Sequence, residues 1–461
     1  MSELSIIGRH ALTVLAGQLA VMAFGVTDTI VAGRYAPEAL AALSIGSAVF
    51  VSVYVGLMGV LQALMPVWAE QRGAGAQAAI GQSVRQSLYL WGVATALGMA
   101  VLLSPEPLLR WTEVPTELRA EVRSYLAILA LGLPPALLFR IYSTLNQALG
   151  HPQFVTWLQV GSLALKLPLS IWFTFGGAGL APQGVAGCAW ATLVVNYGLL
   201  LVGGAMLRRH AMYAPLQLWR TLERPDAAQL ARFMRLGLPA GLAILVEVTS
   251  FTLMALFIAR QGALASAAHQ IASNLAAVLY MVPLSLAIAT SARVSYWRGA
   301  GQERQAGATA LKGFWLAALI GCALSATIII ANKHLVGLYS TSPEVVALAT
   351  SLLLWVAAYH MADALQTLCI FVLRSYRITL APLVVYGVLL WGVGLYGGYR
   401  LAYQGWAGWG PFQSPAPFWA ASAAALAVTA LIFTALLLGA LRLSQRNPDA
   451  PRSQRVPRQS R

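Results

Sequence analysis

The sequence has little charge and few cysteines, and both shortages narrow its possible functions. Only 10% of its 461 residues are charged, and only three are cysteines. Cys188, Cys322 and Cys369 have no paired spacing, so they predict neither disulfides nor a metal site, and we expect small core residues. The sequence also lacks a glycine-rich loop followed by Lys and Ser or Thr, so ATP is not the expected energy source.

Long apolar runs take the place of the missing charge. Hydrophobic residues make up 59% of the chain, in runs that exceed about 20 residues and do not alternate every second position. Because backbone polar groups cannot face lipid unpaired, such runs predict helices that cross a membrane. We predict an all-α polytopic membrane protein with twelve transmembrane helices, at 10–33, 38–66, 80–104, 121–148, 153–176, 184–208, 229–259, 264–294, 308–332, 344–373, 378–402 and 416–443.

The basic residues follow membrane topology. The net charge of +15 would suit a nucleic-acid partner, but its distribution indicates a membrane protein instead. With both termini cytoplasmic, 21 of the 30 Lys and Arg residues fall on the inside, seven fall outside, and Arg140 and Lys166 lie within spans. This asymmetry predicts an even number of spans with both ends inside, and no nucleic-acid partner.

The chain repeats itself at an offset of 226 residues. "AALSI" at 41–45 then aligns with "AAHQI" at 267–271, and "RGAG" at 72–75 aligns with "RGAG" at 298–301. Six spans in each copy predict two parallel, pseudo-symmetric six-helix lobes, a duplication that transporters use to place a site between rocking halves. The predicted organisation is an N-terminal lobe at 1–208, a cytoplasmic linker at 209–228, a C-terminal lobe at 229–443 and a basic cytoplasmic tail at 444–461.

Three acidic residues, Asp28, Glu247 and Asp363, lie inside apolar segments. A carboxylate in lipid costs about 3 kcal/mol on insertion scales, so such residues are functional candidates. Tyr359 and Gln366 share a helical face with Asp363, because residues three and four apart are neighbours. These sites could alternate between protonated and cation-bound forms. The alternative is a protonated acid that only makes a hydrogen bond between helices.

Lys166 is the one lysine deep in a predicted span. Its depth is comparable with that of Asp28, so we hypothesise that the two pair and that Lys166 acts as a tethered cation. The alternative is a lysine that extends toward water. His360, three residues before Asp363, is either a proton relay or a structural histidine.

Tryptophans near the span ends are expected to be interfacial anchors rather than parts of a binding cage. They are Trp68, Trp111, Trp297, Trp406, Trp409 and Trp419.

Four segments carry a resemblance to a known family. "VTDTIVAG" in the first span, "LGLPAGLAILVEVTSFTLMALF" in the seventh, "AAHQIASNLAAVLYMVPLSLAIATSARV" in the eighth and "ADALQTLCIFVLRSY" in the tenth resemble the multidrug and toxic compound extrusion (MATE) family, in its NorM-like branch. The resemblance covers nearly the whole chain. It implies a two-lobed antiporter of twelve helices that exports cationic amphiphilic compounds with a sodium or proton gradient.

The resemblance also assigns residues. It implies that Glu247, Asp363 and Tyr359 couple the ion in the C-terminal lobe, and that Phe251 and Tyr280 hold a monovalent cation by the ring face. No metal is expected beyond a sodium ion at Glu247 and Asp363.

In the N-terminal lobe, the resemblance implies a substrate or proton site that includes Asp28, with Gln270 lining the central cavity. The chain departs from the family in the fifth span. There it carries Lys166 and Ser170 around Pro168, where NorM-like proteins carry asparagines. We include both residues in this candidate site.

The function expected from these features is secondary active antiport by rocking lobes, with no enzyme activity and no cofactor apart from Na⁺ or H⁺. Its partners would be small cationic amphiphiles and the bilayer, and it would act as a monomer in a bacterial inner membrane. The alternative is a flippase for lipid-linked saccharides, but phosphates call for several cavity arginines and the spans offer only Arg140 and Lys166. A membrane-embedded transferase would need longer outer loops than this chain has.

Overall fold

A computed structural model describes residues 2–111, 115–177, 179–406 and 408–446. Within these ranges, twelve helices are long and apolar enough to cross a membrane, which confirms the predicted number. They are α1 (Glu3–Tyr35), α2 (Pro37–Gly73), α3 (Gln77–Leu103), α4 (Thr116–Ala148), α5 (Gln153–Phe175), α6 (Val185–Arg209), α7 (Ala227–Ala259), α8 (Ala263–Gly299), α9 (Glu303–Gly337), α10 (Pro343–Ser375), α11 (Leu380–Gln404) and α12 (Ala416–Arg446).

Most of these helices are longer than the predicted spans. Hydropathy marks only the part of a helix that lies in hydrocarbon, whereas helical hydrogen bonding continues into the polar flanks. α2 consists of Pro37–Gln62 and Met65–Gly73, and a short helix, Glu106–Trp111, follows α3. In α11, the α-helical segment Leu380–Tyr386 continues as π-helix over Gly387–Gly397 and Arg400–Gln404. The predicted tail beyond residue 446 lies outside the described residues.

The chain forms two compact units. We call Thr13–Gly241 the N-terminal unit, and Met1–Leu12 with Leu242–Arg461 the C-terminal unit. Their boundaries fall inside α1 and α7, so each of these helices contributes to both units. The start of α1 belongs to the C-terminal unit, where Glu3 Oε1 accepts from Arg293 Nη2 at 2.6 Å. The sequence-based boundaries at 208 and 228 stay predictions.

The linker between α6 and α7 is docked on α3 within the N-terminal unit. The buried Arg85 guanidinium forms an ion pair with Glu223, and Gln86 Nε2 donates to the Arg224 carbonyl at 2.9 Å. The hydrogen bonds that the Glu223 carboxylate accepts from Arg85 hold the pKa of Glu223 below the usual value of 4.5. A side chain at Gly81 would collide with the Leu216 carbonyl, so glycine permits this close approach.

α10 lies at the centre of the C-terminal unit. Leu352, Leu353 and Val356 are fully buried in a core that also contains residues of α8 and α12. The helix remains buried to its end at Ser375, on nearly all sides. This burial determines the surroundings of Asp363.

Three expectations from the sequence are wrong. Trp68 and Trp419 are fully buried, so neither is an interfacial anchor, whereas Trp406 is exposed. Cys322 is exposed and not a core residue. Arg374, in the last turn of α10 and one residue beyond the predicted span, is only 3% exposed.

Candidate functional site

Asp363 is the most enclosed of the described acids in the C-terminal unit, with 1% of its surface exposed. Its Oδ1 accepts a hydrogen bond from Gln366 Nε2 at 2.8 Å, one turn along α10, and lies 3.5 Å from the Thr367 hydroxyl. Its Oδ2 has no hydrogen-bond partner among the described residues and lies 3.7 Å from His360 Nδ1. One oxygen of this buried carboxylate therefore receives no hydrogen bond from the described residues.

A hydrogen-bonded chain orients this carboxylate. The Tyr386 hydroxyl on α11 donates to Gln366 Oε1, and the amide of the fully buried Gln366 donates in turn to Asp363. Tyr386 is held against Phe433 of α12, with ring centroids 5.4 Å apart. Because three helices contribute, the orientation of Asp363 depends on the packing of the whole unit.

Glu247 on α7 is half-buried and lies within electrostatic range of Asp363 and Arg374. No hydrogen bond reaches its carboxylate from the part of the chain that the structure describes. The carbonyl of the preceding residue, Val246, accepts from Trp391 Nε1 of α11 at 3.2 Å. The backbone beside Glu247 is thereby fixed, while its carboxylate remains without a fixed partner.

Three aromatic rings of the helices that carry the acids and of α12 pack against one another. Phe251 of α7, Tyr359 of α10 and Trp419 of α12 contact one another edge to face, with centroid separations of 5.7, 6.2 and 6.0 Å. Tyr280 of α8 lies within electrostatic range of both carboxylates. The five residues predicted to couple an ion, Glu247, Asp363, Tyr359, Phe251 and Tyr280, are thus brought together within one unit, and their role in coupling stays a prediction.

Sequence reasoning missed Arg374 as a member of this cluster. Its guanidinium lies over the Phe371 ring at 4.3 Å and within electrostatic range of Glu247. Its Nε and Nη1 atoms are buried without a hydrogen-bond partner in the described ranges. Arg374 lies one residue beyond the predicted span 344–373, so its position in the sequence did not indicate that it is buried.

The N-terminal unit contains a closed ion pair. Lys166 Nζ on α5 lies 2.7 Å from Asp28 Oδ1 on α1, as hypothesised from their depths, and the lysine does not extend toward water. The same ammonium donates to Thr192 Oγ1 at 2.7 Å and to the Cys188 carbonyl at 3.0 Å, both on α6. The Ser170 hydroxyl donates to Asp28 Oδ1 at 3.1 Å.

Asp28, Lys166 and Ser170 thus meet, whereas Gln270 belongs to the C-terminal unit. It is exposed on α8, and its Nε2 donates to Asn274 Oδ1 at 3.2 Å. Arg140 of α4 is half-buried beside Met58. The role of Gln270 in a cavity stays a prediction.

The residues fit a monovalent cation or a proton better than a transition metal. Among the described residues, no group of three or more His, Cys, Asp or Glu side chains could hold a metal ion. We call Glu247, Asp363, Tyr359, Phe251, Tyr280 and Arg374 the C-terminal cluster. It offers carboxylate oxygens, phenol oxygens and ring faces, which attract monovalent cations. The two carboxylates also repel each other, so a bound cation or proton would be stabilised there.

Comparison with known proteins identifies two matched segments. The family model described as MatE matches residues 14–172 and 239–399. The segments start 225 residues apart and end 227 residues apart, in agreement with the repeat offset found within the sequence.

The chain is similar over nearly its full length to curated bacterial proteins. It is 36% identical over 449 residues to the probable multidrug resistance protein NorM of Aromatoleum aromaticum, covering 96% of both chains. It is 33% identical over 409 residues to the multidrug resistance protein PmpM of Pseudomonas aeruginosa, covering 88% of this chain and 84% of that protein.

Solved structures share the fold. The crystal structure of the eukaryotic MATE transporter AtDTX14 aligns with a TM-score of 0.84 at 18% identity, over 97% of this chain and 99% of that one. An outward-facing multidrug resistance MATE family transporter of the MOP superfamily aligns with a TM-score of 0.86 at 17% identity, over 97% of each chain. The all-α, twelve-helix prediction is confirmed.

Proposed function

The chain belongs to the MATE family, and from this premise we propose that it is a multidrug efflux protein, a secondary active antiporter that exports cationic amphiphilic compounds in exchange for Na⁺ or H⁺. As expected, it is a transporter and not an enzyme. It is also a multi-pass membrane protein. We further propose that it acts as a monomer in a bacterial inner membrane. The distribution of its basic residues supports an orientation with both termini cytoplasmic.

The main support for this proposal is the pair of acids Glu247 and Asp363. Two carboxylates within electrostatic range, one of them fully buried with an oxygen free of hydrogen bonds among the described residues, favour the uptake of positive charge. We propose that one Na⁺ or H⁺ binds here, with the Phe251, Tyr359 and Tyr280 rings beside it. Ion binding drives export only if the ion has different affinities for the two facing states.

The names of the relatives and the charge of the C-terminal unit support the proposed substrate class. Two of them are named multidrug resistance proteins, and this chain has two ionisable acids close together in its C-terminal unit. We do not favour the flippase alternative, because the basic groups Lys166 and Arg374 are buried beside acids rather than set to meet phosphates. The rocking of the two lobes remains a prediction from the repeat.

The test is efflux of a fluorescent lipophilic cation from proteoliposomes, with sodium and proton gradients imposed separately. We expect one gradient to drive efflux and a membrane potential alone to leave it slow. Efflux driven by sodium but not by protons identifies Na⁺ as the coupling ion, and the converse identifies H⁺. An absence of efflux under both gradients would refute the antiport proposal.

Two variants locate the coupling. Glu247→Gln and Asp363→Asn keep the size of each side chain and remove its charge, so coupled efflux should fall to the level of empty liposomes. Glu117→Gln, at an exposed acid in the first turn of α4, is the matched control and should retain full efflux. Full activity in both site variants would exclude this cluster as the coupling site.

A further inference from the structure

The Lys166 ammonium has no exposed surface and a complete set of acceptors. Its three N–H groups face three oxygens: Asp28 Oδ1, Thr192 Oγ1 and the Cys188 carbonyl, at 2.7, 2.7 and 3.0 Å. An ammonium donates three hydrogen bonds, so no donor is left over for water or substrate. The group is enclosed in a site built for it by α1, α5 and α6.

The same three oxygens suit a free monovalent cation. A carboxylate, a hydroxyl and a main-chain carbonyl are hard oxygen donors, which alkali cations prefer over nitrogen or sulfur. The set carries one formal negative charge, from Asp28, which balances one positive charge and no more. Among the described residues, the ionisable groups other than Lys166 within electrostatic range of Asp28 are Tyr125 of α4 and the Cys188 thiol. Neither supplies a second cation.

We propose that the pocket at Asp28 is a monovalent-cation site that the chain fills permanently with its own Lys166 ammonium. The N-terminal unit then exchanges no ion during transport. The further consequence, that ion coupling is left to Glu247 and Asp363, rests on the proposed antiport function.

Tethering explains why free ions do not displace the ammonium. A covalently attached group has a high effective concentration at its site, on the order of millimolar or above even for flexible attachments. The Lys166 ammonium is attached to a packed helix by only four methylene groups, and its charge is needed to neutralise the 8% exposed Asp28. Removal of the ammonium should therefore leave an oxygen-lined vacancy with one unbalanced negative charge.

The test compares Lys166→Met with Asp28→Asn/Lys166→Met, both as purified full-length protein in detergent. The thermal midpoint is measured in NaCl, KCl and methylammonium chloride against choline chloride at equal ionic strength. We expect these small cations to raise the midpoint of Lys166→Met by several degrees and to have no such effect on the double variant. Because both variants retain Glu247 and Asp363, any stabilisation from the C-terminal cluster cancels in the comparison.

Two outcomes would overturn the proposal. Equal cation responses in the single and double variants would mean that Asp28 offers no cation site. Stabilisation of Lys166→Met by falling pH, without a response to cations, would mean that Asp28 takes a proton instead.

A second measurement does not depend on the folding of Lys166→Met. Equilibrium binding of ²²Na⁺ should give the same stoichiometry for the wild-type protein and for Asp28→Asn, since Asp28 holds no exchangeable ion. Loss of a bound Na⁺ in Asp28→Asn would contradict the inference. Glu247→Gln in the same assay reports on the proposed coupling site alone, so failure of that proposal is recognised separately.

Discussion

Replacement of Gln366 by Leu should destabilise the C-terminal unit and disturb Asp363 at the same time. The side chains have similar volumes, so the main loss is polar. Gln366 Nε2 donates to the Asp363 carboxylate at 2.8 Å, and Gln366 Oε1 accepts from the Tyr386 hydroxyl. After the change, Asp363 Oδ1 keeps only the 3.5 Å contact with Thr367, and the hydroxyl of Tyr386, a residue only 2% exposed, loses its acceptor.

The magnitude follows from these two losses. A hydrogen bond to a charged group contributes about 1.5–3 kcal/mol, and a buried hydroxyl without a partner costs about 1–3 kcal/mol. The free energy of unfolding should therefore fall by roughly 3–5 kcal/mol. Tyr386→Phe removes only the second bond and leaves the Gln366 carbonyl without a donor, so it should cost about 1–3 kcal/mol.

The double variant Gln366→Leu/Tyr386→Phe tests the chain directly. With the hydroxyl absent, Gln366→Leu no longer leaves a buried donor unsatisfied, so the double variant should cost about 1–2 kcal/mol less than the sum of the single changes. Unfolding is followed by circular dichroism as the SDS mole fraction is raised in mixed micelles, under conditions where the protein refolds.

Two results would refute this reasoning. One is a cost below about 1 kcal/mol for Gln366→Leu, a value within reach of an exposed polar change. The other is strict additivity, which would mean that Gln366 does not join Tyr386 to Asp363. In transport, Gln366→Leu should weaken the apparent affinity for the coupling ion while efflux persists at high ion concentration, because Asp363 itself remains.

Three further predictions concern packing and pH. Trp68 and Trp419 are both fully buried, but among the described residues only Trp68 donates a hydrogen bond, from Nε1 to Ser83 Oγ at 2.9 Å. Trp68→Phe should therefore lower the free energy of unfolding by about 1–2 kcal/mol more than Trp419→Phe in the same SDS titration. Trp419→Ala should cost about 3–5 kcal/mol there, because it removes a ring that packs in the C-terminal core. The hydrogen-bonded ion pair with Arg85 lowers the pKa of Glu223 below 4.5 in the folded protein. The pair therefore stabilises the fold above pH 4.5, and this stabilisation disappears as the pH falls through the lowered pKa. The thermal midpoints of the wild-type protein and Glu223→Gln should differ at pH 7 and converge below pH 4.5.

The fold was largely predictable because one physical rule governs it. Lipid forces backbone groups to pair within helices, so run length alone gives twelve spans, and the repeat gives two sets of six. Residues far apart in sequence were harder to place. Asp28 and Lys166 could be matched by depth, since each is a lone charge in an apolar run. Thr192 and Cys188 could not, because a hydroxyl is common and a main-chain carbonyl has no sequence signal at all.

The errors have a shared cause. Position along a helix indicates depth but not the direction in which a side chain points. Trp419 lies in the first turn of α12, where an interfacial anchor is typical, yet packing against Phe251 and Tyr359 buries it. Arg374 lies in the last turn of α10, where a basic residue usually meets water, yet this helix is surrounded to its end. Only tertiary packing distinguishes these cases.

Charge balance separates the two clusters and gives the transport proposal a stoichiometry. Asp28 and Lys166 sum to zero, and the ammonium has all its acceptors, so the N-terminal unit has no electrostatic reason to take up an ion. Glu247, Asp363 and Arg374 sum to −1 when both acids are ionised, and one Asp363 oxygen has no hydrogen bond among the described residues. A single monovalent cation or proton neutralises that cluster, whereas a second would leave an excess positive charge in a buried site. If this cluster couples the ion as proposed, we expect one coupling ion per cycle, and the ratio of ²²Na⁺ or proton uptake to exported substrate would measure it.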